Sequence, residues 1–185
     1  MVRTPRGVAT PSARAKAYDL GVVAGLERHE HPRGQLALDD RFWPVVIGTW
    51  HGEIEHRHID AYYAWYDRQL ARAEAEATKV LVIVDALEVA PTSAEIRRRF
   101  IHETDVREAV RRRVVGVFVV VRGPFLLGMV ASIVRLVRGG LRLSTFGDVR
   151  TALERAVVKL DGVGVARPAA LDPAAYVRPR RCEPA

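Results

Sequence analysis

A chain of 185 residues, 49% hydrophobic and 28% charged, is long enough for one core and short for two, so one domain with tails is expected. Its one cysteine, Cys182, excludes a disulfide framework and favours a reducing, cytoplasmic setting. The formal charge of +7 does not make it a nucleic-acid binder. Residues 1–33 carry six basic and three acidic side chains and residues 167–185 carry four and two, so most of the excess sits in the ends.

Residues 1–34 read as a loose basic lead-in. Pro5, Gly7, Pro11, Pro32 and Gly34 interrupt any period, Ala13 to Leu26 is the one stretch able to hold a weak helix, and no apolar signal segment follows the basic residues. The body is predicted over 35–162. Gln35 to Asp39 alternates as a first strand and Phe42 to Trp50 follows as a second, making an antiparallel pair. From about His58 to Ala77, Ile59, Tyr62, Tyr63, Tyr66 and Leu70 recur at helical spacing. Lys79 to Asp85 is an unbroken β-branched run, the mark of a strand buried on both faces.

After it, Thr92 and Glu95 fit a capping box for a helix with Ile96, Phe100 and Val110 inward and Arg97, Arg98, Arg111 and Arg112 outward. Val114 to Val121 is a further strand, and Gly123-Pro124 opens a helix that ends at Gly139-Gly140. The break at Arg122, Gly123 and Pro124 argues against reading Val114 to Val137 as a membrane span. Leu141 to Phe146 and Asp148 to Leu160 supply a last strand and an amphipathic helix. Residues 163–185 form a tail in which four prolines forbid a continuing helix or central strand, and both ends are expected to be mobile.

No metal-ligand or nucleophile motif is complete. His51, Glu53, His56 and His58 are the densest set of ligand types, but they surround one loop with no distant Cys or His motif to close a site. Asp85, expected at a strand end, reads as a turn residue. Thr92 reads as an N-cap; Thr92 and Ser93 also form the candidate phosphorylation or anion site at a helix N-terminus. The runs Arg97-Arg98-Arg99 and Arg111-Arg112-Arg113, with Arg135, Arg138 and Arg142, offer a positive face for an acidic protein partner. The helix from Pro124 is apolar nearly all round, so Phe125, Leu126, Leu127, Val130 and Val134 are predicted to form a homodimer or partner interface.

The order of elements resembles the STAS domain, the fold of bacterial anti-sigma-factor antagonists, in its SpoIIAA-like variants. Gly52-Glu53-Ile54 is similar to the family's turn into the first helix, Val80-Leu-Val-Ile-Val-Asp85 to its central strand, and Phe146-Gly-Asp148 with Val149 to Ala156 to its last strand and helix. The chain departs from the family where antagonists carry Asp-Ser-Ser-Gly: it has Ala90-Pro91-Thr92-Ser93-Ala94. The resemblance implies an α/β fold with a central mixed sheet of about five strands flanked by about four helices. It also implies a non-catalytic, cofactor-free regulatory or scaffold module that works by protein–protein contact. The alternative is a small α/β enzyme or an anion or nucleotide binder using Asp85, Thr92 and Ser93.

Overall fold

The computed structural model describes residues 25–107, 112–136 and 143–182. The fold is α/β, with one mixed sheet of six strands and four helices. In chain order these are β1 (Leu26–His31), β2 (Gly34–Asp39), β3 (Val45–Gly52), α1 (His56–Ala75), β4 (Val80–Val89), α2 (Ala94–Asp105), β5 (Val114–Val120), α3 (Pro124–Leu136), β6 (Leu143–Phe146) and α4 (Val149–Asp161). Strand order in the sheet follows chain order, with β2 antiparallel to its neighbours β1 and β3, and β3 to β6 parallel.

That order decides where the helices go. Three successive crossovers all step in the same direction, and right-handed connections then place α1, α2 and α3 on a single face. The strands obey the resulting two-sided pattern. Val46 and Trp50 of β3 and Val80 and Val82 of β4 meet α1 to α3, whereas Val45, Ile47, Leu81 and Ile83 meet α4. Fully buried Ile59 and Trp65 anchor α1, each contributing roughly 1.5–3 kcal/mol through removal of apolar surface from water. Gly52, at φ +66°, is required at the β2–β3 edge, because a Cβ there would lie 2.2 Å from the Arg33 carbonyl oxygen.

Among the described residues the opposite face has only α4 as a covering helix, which lies over β4, β5 and β6. The C-terminal segment covers the rest. Val165, Leu171 and Tyr176 pack into the α4-side core, and Tyr176 meets Phe42 edge-on at 5.7 Å between ring centres. Arg28 of β1 donates to the Arg180 carbonyl, and the Gln35 side chain of β2 both donates to and accepts from the Cys182 backbone at 2.8 Å.

Two expectations are therefore corrected. Leu26–His31, assigned to the lead-in, is the edge strand of the sheet, and Pro32-Arg33 is the two-residue turn between β1 and β2. The C-terminal tail is not loose: proline forbids regular hydrogen bonding but not docking, and Pro179 itself is buried. The weak helix expected from Ala13 lies outside the described residues, as do Val110, Arg111, Arg138 and Arg142. Among the described residues no helix is long and apolar enough to cross a membrane.

Candidate functional site: an aromatic cavity beneath α2 and α3

β4 runs to Val89, four residues past Asp85, so Asp85 is not at a strand end. Its side chain alternates with Ile83 and Leu87 toward the α4 face and is fully buried. There it accepts bonds from Arg178 Nε and Nη2 and from the Leu87 amide. Arg178 also reaches Glu88, Glu88 meets His51 Nδ1 at 2.9 Å, and His51 Nε2 faces the Pro179 carbonyl at 3.1 Å. Both ring nitrogens of His51 thus face oxygen atoms. The His51 bond holds the Glu88 carboxyl below its ordinary value, with the Arg178 cation adding to the effect. Asp85 is the anchor of the docked tail.

Thr92 and Ser93 lie on the other face. Ser93, not Thr92, is the N-cap of α2, its Oγ accepting from the Ile96 amide at 3.2 Å. Thr92 turns its hydroxyl to Met129 of α3 at 2.9 Å. The sheet therefore stands between Asp85 and the pair Thr92 and Ser93, and the three do not form one site. The capping box that does occur is at α1, where Glu55 and His58 bond each other's backbones. His58 Nδ1 accepts from the Glu55 amide, which requires a neutral ring, and burial lowers its pKa to about 4.

The four metal-ligand types of the β3–α1 loop go to four different partners. His51 joins Glu88, Glu53 pairs with Arg33, His56 pairs with Glu95, and His58 caps its helix. Among the described residues no cluster of three or more His, Cys, Asp or Glu side chains could hold a metal. The arginine runs are engaged in part. Asp60, Asp67 and Glu74 recur every seven residues along α1, one stripe of the helix, and pair with Arg99, Arg107 and Arg113 at 2.6–2.7 Å. Arg99 and Arg113 of the positive face read from the sequence thus belong to an ion-pair ladder.

The predicted interface residues of α3 divide. Val130 is 8% exposed and Leu126 is partly buried against the core, so both face inward. Leu127 is 42% exposed and faces out. The side chains of Phe125 and Val134 lie outside the described residues.

Between this face of the sheet and α1, α2 and α3 lies a cavity of about 150 Å³, which sequence reading did not anticipate. Five rings line it: Trp50, Tyr62, Tyr63, Tyr66 and Phe100. Most contact one another edge-on or tilted, as Trp50 does with Phe100 at 5.5 Å and 66°, while Tyr62 and Tyr66 stack at 6.1 Å and 14°. Small residues keep it open. Ala86 gives β4 a short side chain there, and a Cβ on Gly48 would come 3.1 Å from the Tyr62 ring. Met129, Val130 and Ile133 of α3 close it on one side. Tyr63 hydrogen-bonds Thr104 at 2.7 Å, and burial raises the Tyr62 and Tyr63 hydroxyls well above their ordinary range, so neither ionises at neutral pH. A cleft of about 540 Å³ on the opposite face has the tail itself as one wall, and of the four arginines that line it Arg41 and Arg178 are already paired with Asp39 and Asp85.

Compared with known proteins, the chain matches no family model and no curated sequence, so the geometry carries the functional reading.

Proposed function

We propose that this chain is a non-catalytic regulatory module whose signal is a small apolar molecule held in the aromatic cavity. The cavity is the observation that carries the reading: a recess walled by five rings, beside a helix that presents apolar side chains on more than one face. Apolar recesses with a few polar groups are the usual form of small-molecule sites. A recess of roughly 150 Å³ with mostly apolar walls accepts a molecule about the size of benzene. The order of elements supports a STAS-like regulatory role. The residues of the alternative anion or nucleotide site are engaged instead in a cap, a Met129 contact and the Arg178 pair.

The test is titration of toluene and benzyl alcohol into isotopically labelled protein, read at the Trp50 indole and the Met129 methyl resonances. Saturable shifts that vanish in Ala86→Ile, which fills the recess, are expected. Unchanged spectra at saturating probe sink the reading.

Leu127 supports a second, compatible output: docking of another copy on the outer side of α3. Leu127→Glu is then expected to turn a dimer into a monomer in light scattering, and a wild-type chain monomeric at every concentration refutes it.

A further inference from the structure

We propose that the ligand of the aromatic cavity is a monocyclic aromatic carboxylate whose acid group is held by Arg97. This rests on the apolar-ligand reading above and adds the head group to it.

Among the described residues Arg97 is the one charged residue on the cavity wall. It differs from Arg99 on α2 and from Arg107 just beyond the helix. Arg99 meets Glu103 and Asp60, and Arg107 meets Glu103 and Asp67. Half-buried Arg97 has no carboxylate partner among the described residues and uses one N–H, from Nη1 to the Thr92 carbonyl at 2.6 Å. A guanidinium has five N–H donors in a planar fork, so the single bond orients the group and leaves donors for a bidentate acid.

Its position sharpens the need for an anion. Arg97 lies in the first turn of α2, where the helix dipole disfavours a cation; Glu95 of the same turn pairs with His56, and among the described residues no Asp or Glu lines the cavity to compensate Arg97. A ligand carboxylate relieves both.

Size and wall chemistry set the rest of the molecule. About 150 Å³ takes one ring and a short linker, not a long acyl chain. Walls built from ring edges and faces favour an aromatic occupant through offset and edge-to-face contacts.

The experiment compares phenylacetate with its neutral isostere phenylacetamide by calorimetry, on wild type, Arg97→Met and Arg97→Lys. Wild type is expected to bind the acid at least about tenfold more tightly than the amide, as charge-assisted hydrogen bonds require. Arg97→Met should erase that preference while leaving amide affinity unchanged, and Arg97→Lys should restore part of it. Equal affinity for acid and amide in wild type overturns the carboxylate assignment and leaves the cavity reading standing. A preference that survives in Arg97→Met overturns the role of Arg97. Failure of acid, amide, toluene and benzyl alcohol alike overturns both. Should Arg97→Met fail to melt cooperatively, the wild-type ratio and Arg97→Lys decide.

Discussion

The two faces of this sheet are closed by different means. One is covered by three crossover helices that leave a cavity; the other is covered by one helix and a strap of irregular chain that leaves a buried ion pair. Both follow from the unidirectional strand order, which sends every crossover to one side. The crowded side holds helices on rigid rods whose ring-bearing residues need not interdigitate. The sparse side depends on chain that has no hydrogen-bonded element of its own, so its closure rests on a few anchors: Tyr176 on Phe42, Arg178 on Asp85 and Gln35 on the Cys182 backbone.

The largest effect expected from this contrast is at the strap. A chain ending at Gly164 loses Leu171 and Tyr176 from the core and leaves Asp85 buried without its cation. It should lose cooperative urea unfolding, as judged by circular dichroism, since breaking a buried pair alone costs about 3–5 kcal/mol. A truncated chain with an unchanged midpoint would show that the strap is ornamental. The single change Arg178→Ala isolates the anchor. It should cost about 3 kcal/mol, the low end of that range because Arg178 is partly exposed, and Asp85→Asn in the same chain should recover most of the loss.

Acid should separate the faces in a second way. On the helix-covered face His58 is held neutral, its pKa lowered from 6.5 to about 4 by burial. The unfolded chain binds that proton first, so the contribution is whole above pH 6.5 and is lost progressively between 6.5 and about 4, at most about 3 kcal/mol. On the strap face Glu88 has its carboxyl pKa depressed from 4.5, so its contribution is present above that value and disappears only as pH falls below it. His58→Gln keeps a side chain suited to the capping box and removes the titration. Its thermal midpoint should decline less than that of the wild type between pH 6.5 and 4.5, the remaining slope coming from His29, whose pKa burial also lowers; parallel declines in both would move the cause elsewhere.

What the sequence made legible differs between the faces as well. Most helices and parallel strands were readable to within a few residues, because β-branched runs such as Val80 to Val84 and helical repeats such as Ile59, Tyr62, Tyr63 and Tyr66 carry their own period; α2 is the exception, read as far as Arg112 but ending at Asp105. The ladder of Asp60, Asp67 and Glu74 was also there to be seen, as a seven-residue acidic repeat beside arginine runs. The strap was not, because docking of an irregular segment depends on complementary shape and one long-range ion pair, which leave no period. Pro32 looked like a sign of disorder but belongs to a hairpin turn. Thr92 and Ser93 were both suitable caps, and only the backbone decides which one bonds the Ile96 amide. The cavity was invisible for a different reason. Aromatic residues at helical spacing announce a buried face, but whether that face fills its space depends on Gly48 and Ala86 across the interface.

The smallest expected effect tests that last difference directly. Ala86 on the cavity wall and Ala152 of α4 are both buried alanines against the same sheet, one beside unfilled space and one in a close-packed layer. Enlarging each to Ile adds the same atoms. At Ala152 they have nowhere to go, and overpacking should cost about 1–3 kcal/mol in urea unfolding. At Ala86 they enter the recess and gain dispersion contacts with rings that now face a void, so stability should change by less than about 1 kcal/mol, with a gain as readily as a loss. The same Ala86→Ile chain should no longer bind phenylacetate or toluene, which separates ligand loss from fold loss in one variant. Equal destabilisation at the two positions would mean that the helix-covered face is as tightly packed as the strap face, and the recess would lose its claim to be a binding site.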